Sequence, residues 1–168
     1  MFSITDSVPY MGAQDFEVIY DAKTWQDAFR TAVDDAYWSY GHAGYTGSIC
    51  EKPGAYLITR PKGVKASTLQ QTIEEADRYG DKWYFANETE QKRAKAKALK
   101  AHNKMVSWFG QSDTDVILRL FDDKWDDALC IELTKGEYPN KYNDPTDRYY
   151  ERLPRGHKMW VFFGMASS

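Results

Sequence analysis

The sequence predicts an α+β fold: one domain spanning residues 1–168, with a mixed or antiparallel sheet and two to three helices packed on it. Three observations carry this expectation. Helical periodicity and strand-like runs alternate along the chain, with no all-α or all-β block. Most connections between them are short turns. At 168 residues, with 42% hydrophobic and 28% charged side chains, the chain can build one ordinary core, and no repeat or linker divides it.

The elements follow in order. Residues 1–15 carry Pro9 and Gly12 without periodicity and read as an irregular lead-in to a strand over 16–20. From Thr24 the period becomes helical: Trp25, Ala28, Phe29, Ala32, Val33, Ala36, Tyr37 and Tyr40 recur every three or four residues. Thr24 can cap this helix and Gly41 can end it. Residues 45–50 and 55–60 read as two strands around the turn Lys52-Pro53-Gly54. Ser67 opens a second helix, with Leu69, Ile73 and Ala76 on one face, a Ser67-x-x-Gln70 capping box and Gly80 beyond its end. Residues 82–86 form a short aromatic strand or connector. Asn87 then caps the longest helix, over 88–108, which Gly110 stops. Residues 115–121 and 128–133 read as an antiparallel strand pair joined by an acidic connection. Residues 134–154 make the one long loop, and 158–164 close the chain as a strand apolar on both faces, hence central in its sheet.

Composition removes several function classes. With 22 Lys and Arg against 25 Asp and Glu the net charge is −3, so the molecule as a whole is no polycation and any basic site is local. The 6 Trp, 12 Tyr and 8 Phe argue against disorder and supply material for a core and for interface anchors. Cys50 and Cys130 lie far apart and in no Cys-x-x-Cys spacing, so they read as buried thiols in a reducing compartment. The N-terminal residues lack a basic stretch followed by an apolar one, and no apolar run approaches a membrane span. The reading is a cytoplasmic protein, inside a host cell, without membrane contact.

Three segments are candidates for function. In the first, Gly41, Gly44 and Gly47 are equally spaced around His42, Tyr45, Thr46 and Ser48. Such a loop can aim backbone N–H groups at an anion, with His42 as a general base and Tyr45 or Ser48 as its partner. Phosphate loops, however, run from strand to helix, and this one follows a helix, so a structural turn is the preferred reading. In the second, Arg93, Lys97, Lys100 and Lys104 fall within an arc of about 60° at ~100° per residue. They form a basic ridge opposite Ala94, Ala98, Leu99, Met105, Val106 and Phe109. This ridge is the candidate binding surface, for phosphates or an acidic protein face. In the third, Asp113, Asp115, Asp122, Asp123, Asp126 and Asp127 crowd together without calcium-loop spacing and read as turn residues. No metal, no cofactor and no catalytic residue is assigned.

The segment Tyr40-Gly41-His42-Ala43-Gly44-Tyr45-Thr46-Gly47-Ser48-Ile49, with Ala28-Phe29 and the ending Phe163-Gly164-Met165-Ala166-Ser167-Ser168, resembles a scattered group of small uncharacterised proteins from bacteriophages and mobile elements. The matched segments cover about a fifth of the chain. No catalytic residue comes with that resemblance. It implies context only, and within that context the leading expectation is a phage-type accessory protein that binds and inhibits a nucleic-acid-handling host defence complex, in the manner of an anti-CRISPR protein. Such a protein acts stoichiometrically on a host protein or ribonucleoprotein, with nucleic-acid contact through the basic helix. The alternative is a small enzyme of nucleotide or nucleic-acid metabolism built on His42 and the loop of Gly44, Tyr45 and Gly47.

Overall fold

A computed structural model describes residues 12–41, 44–78, 87–139 and 149–168. Its centre is β4, Lys158–Ser167, the strand whose sequence is apolar on both faces. Along it, Met159, Val161 and Phe163 enter one core, while Trp160 and Phe162 enter the other, as the two-residue strand period requires. β1, Ala13–Ala22, lies antiparallel to β4 in one unbroken register from Ala13↔Ser167 to Ala22↔Lys158. On the other side β3, Ala128–Glu132, pairs antiparallel with β4, and β2, Ala55–Leu57, pairs parallel with β3 at the sheet edge. The order is β1-β4-β3-β2, a mixed sheet. A parallel β2–β3 pair needs a crossover, and three helices supply it.

One helix covers the first face. In α1, Trp25–Tyr40, the buried stripe is Ala28, Ala32 and Ala36, whose small side chains let the helix sit close to Trp160 and Phe162. Thr24 Oγ1 accepts from Asp27 N–H at 3.2 Å, and Gly41, at φ 81°, ends the helix, both as the sequence predicts. The crossover covers the other face with α2, Ala66–Asp77, α3, Glu88–Phe109, and α4, Gln111–Asp122. Leu69, Ile73, Met105 and Ile117 are fully buried against Leu129, Ile131 and Val161. Asn87 Oδ1 accepts from Glu90 N–H at 2.9 Å, and Gly110, again at φ 81°, makes the α3–α4 corner. The architecture is α+β, a mixed four-stranded sheet with four helices packed on it, one helix more than the sequence predicts.

The extra helix is α4, where the sequence suggests a strand over 115–121. Its buried residues are Thr114, Ile117, Leu120 and Phe121, spaced three, three and one, which is one helix face. The expected antiparallel pairing of this segment with 128–133 is therefore absent, and β2 takes its place beside β3. The strand expected over 45–50 is also absent. Gly44, Tyr45 and Gly47 adopt φ of 73°, 55° and 67°, the left-handed region and not the extended one, and Ile49–Glu51 forms a 3-10 turn. The second strand of that pair shortens to Ala55–Leu57. The capping box at Ser67 is replaced from far away: α2 begins at Ala66, whose N–H donates to Glu137 Oε2 at 2.6 Å. Glu137 sits in a 3-10 turn, Lys135–Glu137, within the long loop, and a second such turn spans Tyr149–Arg152. The aromatic segment 82–86, Gly80 and residues 140–148 lie outside the described residues. Among the described residues, no helix is long and apolar enough to cross a membrane.

Candidate functional site

The basic ridge is where the helical period puts it. The buried side of α3 is Ala98, Ala101 and Met105, and Arg93, Lys97, Lys100 and Lys104 are exposed; Leu99, expected on the apolar face, is exposed as well, because the core reaches only the side of the helix that carries Ala98, Ala101 and Met105. Small alanines hold the helix against α2, so the long cationic side chains stand outside the core. Lys97 Nζ lies 3.0 Å from Glu75 Oε1 of α2, a pair worth little at such exposure. Lys104 Nζ lies 5.0 Å from the centroid of the Trp108 ring, a cation–π contact that stretches the side chain along the helix. Arg93 and Lys100 have no acidic partner among the described residues. Lys92 pairs with Glu88 in the first turn. The ridge is thus an array of solvated cations with one ion pair among its four members, on a chain of net charge −3.

The glycine loop has a different character. Gly41, Gly44 and Gly47 all sit at φ between 67° and 81°, so the equal spacing marks three backbone reversals. Gly47 N–H donates to Ser167 O at 2.8 Å, which docks the loop on the end of β4, and a Cβ at Gly47 would lie 2.7 Å from Gln14 Oε1. The residues after it tie themselves together: Thr46 Oγ1 contacts Ser48 Oγ at 2.7 Å and Cys50 Sγ at 3.1 Å, and donates to Glu51 Oε1 at 2.9 Å. A groove of about 330 Å³ beside the loop is lined by Asp15, Glu17 and Asp35 and by no Lys or Arg. Phosphate is repelled there, and the C-terminal end of α1 adds the same sign. Tyr45 is half exposed with its ring edge-on to Trp125, 6.0 Å between centroids. His42 lies outside the described residues. Of the other histidines, His102 is on α3 and His157 approaches Asp21.

The aspartates are turn and helix-end residues. Asp113 is in the first turn of α4, Asp123 Oδ1 accepts from Trp125 N–H at 2.8 Å, and Arg119 holds Asp126 at 2.6 Å. Among the described residues, no group of acids, histidines and cysteines could hold a metal ion. What the aspartates do surround is Lys52, 4% exposed, whose Nζ donates to Asp123 O at 2.7 Å. Burial lowers its pKa to about 8, against the opposing pull of Asp123, Asp126 and Asp127. The sequence gives no hint of this: a Lys before Pro-Gly looks like any turn residue. Both cysteines are free and buried, and burial drives the Cys130 thiol strongly upward, so Cys130 presents no ready thiolate.

An interior ion pair joins Arg60 to Glu137, both largely buried. Glu137 also accepts from the Thr134 hydroxyl and N–H and from Ala66 N–H. Partial burial alone would raise its pKa, but these donors together bring it down to about 2. With these sites described, the chain can be set against known proteins. No family model matches it, and neither a curated protein nor a solved structure is similar to it. The functional reading rests on the chemistry of the surfaces.

Proposed function

We propose that the protein is a stoichiometric binder whose α3 ridge docks on the phosphates of a nucleic-acid-handling host complex and blocks it. The ridge carries this reading: Arg93, Lys97, Lys100 and Lys104 are exposed on one side of a 22-residue helix, and among the described residues only Lys97 of the four is held by an acid. Solvated cations in a row attract a phosphate backbone and release its counterions on contact. The resemblance to bacteriophage and mobile-element proteins supplies the context, inhibition of a host defence ribonucleoprotein of the CRISPR type. Exposed aromatic residues away from the ridge, Trp38 at 91% and Trp125 at 49%, are suited to anchor protein contacts of their own.

The experiment is a pull-down from the host cell with two baits, the wild-type protein and the variant with Arg93, Lys97, Lys100 and Lys104 all changed to Glu, each with and without nuclease. The wild type is expected to retain a nuclease or ribonucleoprotein, and the variant and the nuclease-treated sample to lose it. Titration of the purified complex should then saturate at a fixed molar ratio. Identical captured proteins for both baits, or inactivation at a small fraction of the target concentration, would overturn the reading.

A further inference from the structure

The sheet ends on one side in β2, three residues long, and on the other in β1, ten residues long. An edge strand presents a row of unpaired N–H and C=O groups, which short length, Pro, Lys or a bulge ordinarily blunts. β1 carries no Pro and no Lys, and its register with β4 runs unbroken from Ala13↔Ser167 to Ala22↔Lys158. The same register fixes which groups face outward. Ser168 N–H donates to Gly12 O at 3.0 Å, one step beyond the strand ends, so the even-numbered residues of β1 exchange hydrogen bonds with β4 and the odd-numbered ones point away from it. The N–H and C=O groups of Ala13, Asp15, Glu17, Ile19 and Asp21 are therefore turned outward, and none has a backbone partner among the described residues.

The groove of about 330 Å³ beside the glycine loop follows this edge. It is lined by every β1 residue from Gln14 to Val18, with Asp35 and Ser39 of α1 in its wall. Successive strand residues point to opposite faces, so what these residues share is the outer edge of the strand, the inner one being taken by β4. The two faces beside that edge differ. Towards α1, Phe16, Val18 and Tyr20 are half-buried, which leaves an apolar flank. On the other face stand Asp15, Glu17 and Asp21. Asp15 is exposed with no ion-pair partner among the described residues, Glu17 accepts from Gln70 Nε2 at 2.8 Å, and Asp21 is held by His157. Lys65 lines the hollow beside Glu17, and among the described residues no ion pair joins the two.

These acids decide what can add to the edge. In a second copy joined about a two-fold axis, every antiparallel register that pairs most of β1 with itself sets acid against acid: Glu17 on Glu17, Asp15 on Asp21, Asp15 on Glu17 or Glu17 on Asp21. Like charges directly opposite destabilise a strand pair, and opposite charges stabilise it.

From this geometry we infer that the β1 edge is an interaction surface that takes an extended, basic segment of a partner protein as a fifth strand, antiparallel to β1. Main-chain hydrogen bonds to the odd-numbered residues supply affinity, and alternate side chains supply selectivity. Lys or Arg of the segment lies opposite Asp15 and Glu17, and its apolar side chains cover Phe16 and Val18. The surface does not involve α3 and takes a partner opposite in sign to that of the ridge.

The test uses the full chain and three short capped peptides: alternating Lys and Val, alternating Glu and Val, and the Lys–Val peptide N-methylated at its lysines, whose N–H groups would face β1. Amide hydrogen exchange is read residue by residue. In the free chain the N–H groups of Asp15, Glu17 and Ile19 should exchange at least tenfold faster than those of Phe16, Val18 and Tyr20. The Lys–Val peptide should slow the first set at least tenfold, and the other two peptides should not. Changing Asp15→Lys and Glu17→Lys together should reverse the preference, so that the Glu–Val peptide binds at least tenfold more tightly than the Lys–Val one. Circular dichroism reports whether that variant is folded, and the three peptides on the wild type decide the question in either case. The inference is overturned if the outward amides are already protected in the free chain, whether by its own residues or by a second copy. It is equally overturned if no peptide slows them, if the Lys–Val and Glu–Val peptides bind the wild type alike, or if the N-methylated peptide binds as well as the unmodified one.

Discussion

The α3 ridge and the interior pair of Lys52 and Arg60 are both basic, yet they stand in opposite relation to the fold. Ridge cations lie in water with little held against them, whereas Lys52 donates to a backbone carbonyl and Arg60 to a carboxylate that caps another helix. An exposed cation contributes little to stability and is free to meet a partner; a buried one belongs to the fold, and changing it moves the folding equilibrium. The two sets should therefore dissociate cleanly under mutation, with the ridge affecting binding and the interior affecting stability.

The largest effect is expected from reversing Arg93, Lys97, Lys100 and Lys104 to Glu. Affinity for the captured complex should fall by at least about a hundredfold at low salt, roughly 2.8 kcal/mol at 1.4 kcal/mol per tenfold, while the melting temperature stays close to that of the wild type. A large drop in melting temperature would break the comparison.

Lys52 should behave in the opposite way. Its folded pKa is about 8 and its ordinary value 10.5. Between those values the unfolded chain holds a proton that the native one has released, so stability rises with pH across that window. Lys52→Met should abolish that rise, which amounts to at most about 3 kcal/mol at 1.36 kcal/mol per unit, without weakening capture. Urea unfolding of both proteins from pH 7 to 10.5 reads the difference.

Glu137 shows the same interior logic with the sign reversed. Its carboxylate, at about 2 when folded against 4.5 ordinarily, stabilises the fold fully above 4.5, and that contribution is lost as the pH falls towards 2. Glu137→Gln should cost about 2 kcal/mol near neutrality, through the charge-assisted hydrogen bonds from Arg60 and Ala66. The deficit should shrink in acid, as denaturant midpoints at pH 7 and pH 3 would report.

The smallest effect is expected at the ridge's own ion pair. Glu75→Gln should change stability by no more than about 0.5 kcal/mol and leave Lys97 free. Capture should hold or improve slightly, measured by the same titration as the four-Glu variant.

How far each region was legible in the sequence follows from the distance over which it is assembled. The exposure of the four α3 cations and the caps Thr24, Gly41, Asn87 and Gly110 are written within a few helical turns and appear as expected, whereas Tyr40 and Leu99, read on the apolar faces of their helices, are exposed. β4 is legible as a central strand because both of its faces are apolar. α4 was hidden because Val116, Ile117, Leu118 and Leu120 satisfy a strand reading, and only the spacing of Thr114, Ile117 and Phe121 reveals a helix face. The 45–50 segment failed for a local reason, since the glycines that make it distinctive also forbid a strand. The remaining sites join residues far apart: Glu137 caps a helix 71 positions earlier and Asp21 meets a histidine 136 positions later. Periodicity carries no information about such meetings.

The most direct test of the central claim, that exposed α3 cations engage phosphates, is the salt dependence of binding to the captured complex. Dissociation constants for the wild type and the four-Glu variant are measured from about 50 to 200 mM salt, the range over which phosphate contacts weaken steeply. The logarithmic slope should flatten by about three to four for the four lost contacts. Parallel lines with equal affinities would contradict the claim.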